Sequence, residues 1–193
     1  MLTLKPRLAA TLAATAIALA GCASGPDIRG DYDKSVDFGQ YRTYGFVANA
    51  GTDSGDVKSL ATQILQRAAS QQMEARGYTR SDNPDLAINF KGKLEEKTDI
   101  ESTPAPYYGP GWGYGGWGGT EVTTRRYNVG TLVMDVVDLK KRQVVFQGGI
   151  EGVVTKEMLQ NREAAMTRAV EHIFTKYPFV AGQSAPVPLP EKK

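Results

Sequence analysis

The chain has 193 residues, 41% apolar and 23% charged, with 23 lysines and arginines against 21 acids. That balance belongs to a globular chain with one core and excludes collagen-like or charge-driven disordered classes. A formal net charge of +2 gives no basic footprint for nucleic acid, and one histidine with one cysteine excludes an internal disulfide, a cysteine/histidine zinc site and a Cys-His nucleophile.

Lys5 and Arg7 precede the apolar run Leu8–Ala20, a charged region followed by a hydrophobic one. The run falls short of the roughly 20 residues that a bilayer-spanning helix needs, so residues 1–21 are expected to be a removable secretory signal. It ends in Leu19-Ala20-Gly21-Cys22, which resembles the bacterial lipobox, where the peptidase cuts before a cysteine carrying diacylglycerol. A lone thiol in an oxidising compartment has no internal partner, which favours lipidation of Cys22. The resemblance implies diacylglycerol and palmitate at Cys22, and several chains anchor stably where a single one binds only marginally. Ala23 follows in place of aspartate, which in similar lipoproteins implies transfer to the outer membrane, facing the periplasm. The processed chain of about 170 residues is formally neutral and is expected to hold one domain.

Residues 22–31 contain Ser24, Gly25, Pro26 and Gly30 and are expected to be a lipidated tether, with a reach of at most ~30 Å. An α+β domain over residues 32–180 follows. Tyr41–Ala48 has strand composition, with Tyr44 and Phe46 on one face. After the turn-rich NAGTDSGD, Asp56 is expected to cap a helix whose apolar positions are Val57, Leu60, Ala61, Ile64, Leu65 and Ala68, and Gly77 is expected to end it. Asp85–Thr98 alternates, with Leu86, Ile88, Phe90 and Leu94 on one face. Val122–Asp138 and Gln143–Thr155 are expected strands joined by a loop of hairpin length at residues 139–142. Arg162–Tyr177 carries a helical stripe of Met166, Ala169, Val170, Ile173, Phe174 and Tyr177, capped by Asn161 and stopped by Pro178. The tail, residues 181–193, is rich in proline and is expected to be exposed and disordered. The order β-α-β-β-β-α predicts a mainly antiparallel sheet of about four strands, covered on one face by two helices.

Asp31-Tyr32-Asp33, Asp37-Phe38, Tyr41–Tyr44, Pro84–Ile88, Gly130–Asp138 and Phe146-Gln147-Gly148 occur in that order. Together they resemble the blocks of the bacterial lipoproteins grouped as domain of unknown function 4136, across nearly the whole domain. Phe146 stands where similar proteins often have tryptophan. The resemblance implies an envelope location and an α/β fold, and it carries over no catalytic residues.

No nucleophile elbow or Ser-x-x-Lys pair is present, and His172 falls on the polar side of the last helix. Asp31, Asp33 and Asp37 lack the glycine and distal glutamate of a calcium loop and suit turns and caps. Asp135 and Asp138 fall on opposite faces of one strand unless a bulge intervenes. No catalytic residue, metal or cofactor is therefore expected. The sheet face turned from the helices should present Val133, Asp135, Val137, Val145, Gln147, Glu151 and Val153; Asp135, Gln147 and Glu151 are its candidate binding residues. Three functional classes stay open: a non-enzymatic binding or structural module with an envelope protein, lipid or glycan partner; a glycan-directed hydrolase using carboxylates alone; and a stress-related accessory lipoprotein.

Tyr107–Gly119 holds seven glycines and both tryptophans. Its G-x-G-x-x-G follows from composition and lacks the strand–turn–helix context of a dinucleotide site. The flanks alternate as strands, so residues 99–121 are expected to form a hairpin arm with this segment as its tip, acids facing Arg125 or Arg126. Two roles stay open for the tip: an entropic insert, or Trp112 and Trp117 as contacts with a lipid interface or glycan. Excising Tyr107–Gly119 and closing the gap with a short turn should leave the melting temperature within a few degrees of wild type, as followed by circular dichroism. Loss of folding would place the segment in the core.

Overall fold

The computed structural model describes residues 25–104 and 120–187. Strand β1 (Asp27–Tyr32) leads into a 3-10 turn at Phe38–Gln40, capped by Asp37, which accepts from the Gly39 N–H. Then come β2 (Thr43–Phe46), α1 (Leu60–Glu74), β3 (Thr79–Arg80), β4 (Leu86–Pro104), β5 (Thr120–Asp138), β6 (Gln143–Val154), the short α2 (Lys156–Gln160) and α3 (Arg162–Phe174). The strands make one sheet in the order β1-β6-β5-β4-β2-β3. β2 runs parallel to β3 and β4, and the other neighbours are antiparallel.

The α+β class stands, but the expected sheet of about four mainly antiparallel strands is corrected to six mixed strands, and the helices number three. β2 and β4 are parallel because α1 lies between them and supplies the crossover that parallel strands require. β1 overturns the expected tether over Asp27–Asp31: Ile28, Gly30 and Tyr32 pair with Ile150, Gly148 and Phe146 of β6. β3, at two residues, is too short to show a period.

Helix α1 starts three residues later than its expected cap. Ser59, not Asp56, accepts from the Thr62 N–H at 3.0 Å, while Asp53 accepts from the Ser59 N–H. Val57 and Leu60, expected on the buried stripe, are 70% and 77% exposed, and the stripe begins at Leu65. The helix closes at Gly77, whose φ of 81° suits glycine; its N–H bonds Glu74 O and the Tyr78 N–H bonds Met73 O, a Schellman ending. α3 begins at Asn161 as expected and buries Val170, Ile173 and Phe174. It runs parallel to α1, since Arg67 near the middle of α1 meets Glu163 at the start of α3 and Arg76 donates to Phe174 O at its end.

Both helices pack on one sheet face through Leu86, Ile88 and Phe90 of β4, Met134 and Val136 of β5 and Phe146 of β6. Phe38 stacks on Phe179 with ring centroids 3.5 Å apart, and Tyr32 and Tyr177 meet them edge-on. The ladder between β5 and β6 slips by one residue after Val136. Val145, expected on the reverse face, is buried in the core at this bulge. The tail is also corrected in part: the Ala181, Gly182 and Val187 N–H groups bond to Arg76, Tyr41 and Pro178 carbonyls, which holds residues 181–187 on the body.

α3 approaches the sheet closely because Gly30 and Gly148 sit side by side beneath it. A Cβ on Gly148 would lie 2.5 Å from Ile173 Cγ2, and one on Gly30 would run into Lys176. Gly148→Ala should therefore destabilise the protein by ~1–3 kcal/mol through overpacking. Gly149→Ala, where the nearest atom is an ordinary 3.7 Å away, should leave the urea midpoint unchanged. Equal midpoints for the two variants would contradict this packing.

Candidate functional site

The face turned from the helices is built by four strands in register. Its side chains form rows: Asn89, Asp135, Gln147 and Asp31; then Lys91, Val133, Gly149 and Arg29; then Lys93, Thr131, Glu151 and Asp27. Alternation along each strand puts every second residue here, and registers that agree across β4, β5, β6 and β1 align them. Among the described residues no helix covers this face. At its centre Gly149 adds no side chain, and a shallow hollow of about 310 Å³ is bounded by Arg29, Asp31, Thr131, Val133, Gln147 and Glu151.

Asp135 is the anchor of this face. Its side chain is only 4% exposed, yet it stays charge-compensated because Lys91 Nζ lies 2.8 Å from one oxygen and Gln147 Nε2 donates to the other at 2.7 Å. A buried carboxylate without partners would cost several kcal/mol. Glu151 is exposed, with Lys97 at 3.6 Å, and Arg29 donates to Asp27. The pattern can hold a ligand through hydrogen bonds and paired charges around a small apolar centre. As a hydrolytic pair Asp135 and Glu151 are badly spaced. Glu151 lies opposite Thr131, four residues from Asp135, so their backbones are ~14 Å apart, against the ~5–9.5 Å between carboxyl groups in glycosidases.

A second polar cluster sits at the corner where β2, β4 and the β5–β6 turn meet. Tyr41 donates to Asp138 at 2.7 Å, and Asp138 also accepts from the Lys140 and Lys141 N–H groups. Asp85 accepts from the Arg42 and Thr43 N–H groups and from the Thr43 hydroxyl. Burial opposes ionisation of both aspartates, but these donors outweigh it and hold both carboxyls below their ordinary value. Burial, with the bond to Asp138, pushes the Tyr41 hydroxyl well above its own. With their donors in place these groups form a clip between elements rather than a reactive centre.

The third feature is the arm. β4 and β5 pair without interruption from Leu86↔Asp138 to Pro104↔Thr120, whereas β6 stops at Val154, opposite Asn128. Eight pairs thus extend beyond the sheet, ~26 Å of two-stranded ribbon. Asp99 lies opposite Arg125, as the alternation of the flanks predicts, and Glu96 approaches Arg126 at 3.9 Å.

The family model described as "Domain of unknown function (DUF4136)" matches residues 28–179. The chain belongs to the DUF4136 family. Among solved structures, a DUF4136 family protein from Bacteroides thetaiotaomicron VPI-5482 is similar over 82% of this chain and 98% of its own, with 21% identity and a TM-score of 0.51. A PDZ domain protein from Parabacteroides distasonis ATCC 8503 is similar over 79% of this chain but 35% of its own, with 13% identity and a TM-score of 0.53. At these identities the likeness is one of fold. No curated protein sequence matches the chain.

In this DUF4136 chain the quoted blocks Tyr41–Tyr44, Pro84–Ile88 and Gly130–Asp138 meet at the corner clip, so their polar residues have a structural task. Asp33 accepts from Ser35 and also from the Gln143 side chain at the start of β6, Asp37 accepts from the Gly39 N–H, and the Asp31 carboxylate accepts from the Tyr32 N–H. His172 is exposed in the last turn of α3. Asp135, Gln147 and Glu151 all lie on the open face, with Asp135 and Gln147 in direct contact. The β5 alternation survives the bulge, which adds its extra residue to β6, so Asp135 and Asp138 stay on opposite faces. Leu19, Ala20, Gly21, Cys22, Trp112 and Trp117 lie outside the described residues. Sequence reasoning misses Asp27, Arg29 and Asp31 as members of this face; the alternation of Asp85–Thr98 sets Lys91 on it but does not show that Lys91 meets Asp135. The period-two pattern of DIRGDY is the signal that points to Asp27, Arg29 and Asp31.

Lys91→Met should cost ~1–3 kcal/mol by leaving Asp135 short of a partner, and Asp135→Asn in the same chain should recover most of it. Urea denaturation of the two single variants and the double variant measures the coupling. Additive losses would show that Lys91 and Asp135 do not depend on one another.

Proposed function

We propose that this protein is a non-enzymatic outer-membrane lipoprotein, anchored through Cys22 and facing the periplasm, whose open sheet face holds a protein partner of the envelope. The observation that carries the binding role is the uncovered face itself, where a buried Asp135 is fixed by Lys91 and Gln147 beside the Gly149 hollow. Mixed charges around a small valine-lined centre suit a partner surface with a polar rim and modest apolar contact. The anchor is supported by the lipobox-like Leu19-Ala20-Gly21-Cys22 and by the absence of any other cysteine in the sequence. Trp112 and Trp117, at the tip of the arm in the sequence, are proposed as contacts with the lipid interface, where an aromatic ring with a polar edge is favoured.

Cys22→Ser should leave the chain uncleaved or release it from membranes, and a carbonate wash followed by mass spectrometry of the N-terminus reads both outcomes. Normal processing with continued membrane retention would refute the anchor. For the face, a photo-crosslinking residue at Val133 should trap one defined partner in intact cells, while the same residue at Glu171 on the exposed side of α3 should not. An identical adduct pattern from both positions, or none from Val133, would remove the binding role.

A further inference from the structure

We infer that the arm end of the molecule rests on the lipid surface, with the exposed apolar side chains gathered there touching the bilayer. This rests on the anchored reading above and adds an orientation to it.

Two independent features of the described chain meet at this end. The first is the exit of the N-terminus. Asp27 pairs with Glu151 near the end of β6, and Pro26 lies against Gly152, 3.1 Å from where its Cβ would stand. The chain therefore leaves toward the base of the arm, and the five steps back to Cys22 span at most ~17 Å. An anchor on so short a lead must hold this end, rather than the end bearing the β5–β6 turn, against the membrane.

The second feature is where apolar side chains stand exposed. Val57, Leu60, Leu94, Ile100, Val122 and Met158 are 37–77% exposed and lie at the arm end, while Leu139 and Val144, 42% and 45% exposed, stand at the opposite end. Leu94, Ile100 and Val122 share the helix-side face of the β4–β5 ribbon, where Ile100 is opposite Thr124 and Val122 opposite Ser102. The ribbon's other face carries Lys93, Glu95, Lys97, Asp99, Glu101 and Arg125. Glu96, Thr98 and Arg126 stand on the helix-side face between Leu94 and Ile100, so its apolar groups form one patch at the base of the ribbon and one farther out. Val57 and Leu60 face the same end because the start of α1 is tied through Thr62 to Thr52, which lies 3.4 Å from the Cβ position of Gly92, five residues before the free ribbon begins at Lys97. Met158 joins it because α2 follows directly on the end of β6.

Several large apolar groups exposed at one end of a folded chain suit a contact surface. Lipid is the occupant assigned here because the chain's own lead ends within reach of this surface and nowhere near the opposite end. Ribbon and helix ends each offer short apolar groups of a length that enters the headgroup region without crossing it, and no described helix is long and apolar enough to span the bilayer.

The test uses the full processed protein purified from membranes and reconstituted into phosphatidylethanolamine–phosphatidylglycerol vesicles. An environment-sensitive fluorophore is placed singly at Ile100→Cys, Leu60→Cys or Leu139→Cys, the last at the β5–β6 turn. Labels at residues 100 and 60 should shift to shorter wavelength and lose most of their intensity to nitroxide-bearing lipids, while the label at 139 should behave as in water. Flotation of the same samples reads retention separately. Protein that floats with the vesicles while labels at 100 and 60 remain in water overturns the orientation and leaves the anchor standing. Protein that does not float overturns both, and quenching at 139 equal to that at 100 shows that the molecule has no fixed lipid-facing end.

Discussion

The uninterrupted pairing of β4 with β5 is the constraint on which the other features depend. The register runs from Leu86↔Asp138 to Pro104↔Thr120 without a bulge, so every alternate side chain keeps its face along the full ladder. In the inner half that alternation sends Ile88, Phe90, Met134 and Val136 into the core and Lys91, Val133 and Asp135 to the open face. In the outer half the same alternation continues with no helix above it, and the residues that would have been core, Leu94, Ile100 and Val122, stand in solvent. One ladder thus yields the open face and the arm from a single pattern.

Polar groups divide between two tasks. At the corner, Tyr41, Thr43, Asp85 and Asp138 meet in bonds that tie β2, β4 and the β5–β6 turn together. On the open face Asp135 is likewise satisfied, but its partner Lys91 is 59% exposed, whereas the corner donors are largely backbone N–H groups.

Much of the fold was legible because periodicity and punctuation agreed. Gly77, Asn161 and Pro178 sit at helix boundaries, and Leu86, Ile88 and Phe90 mark a strand buried on one side. The failures share a cause: local composition was outweighed by distant partners. Gly25, Pro26 and Gly30 suggest a linker, yet β1 forms because β6 offers it an edge and because Gly30 admits α3 at close range. Asp56 is as good a cap as Ser59 in isolation, but Asp53 holds the Ser59 N–H and the Thr62 hydroxyl and so fixes the start of α1. Val145 departs from its face through a bulge that no alternation reveals. Of the candidate site, Asp135, Gln147 and Glu151 were legible from strand phase. The phase of β4 likewise sets Lys91 on the face opposite Phe90, and the alternation of DIRGDY marks Arg29, but which residues they stand beside required the cross-strand register, which one sequence does not contain.

Native-state hydrogen exchange along β4 and β5 tests the central claim most directly, that one ladder is supported by the core in its inner half and by its own hydrogen bonds in its outer half. Inner amides that bond between the strands, up to Gly92 and back from Leu132, should exchange only through global unfolding. Those beyond Lys97 and Tyr127 should be protected against the free-peptide rate but exchange through a lower-energy opening that leaves the body folded. Exchange of the outer half through global unfolding, or at the free rate, would contradict this account.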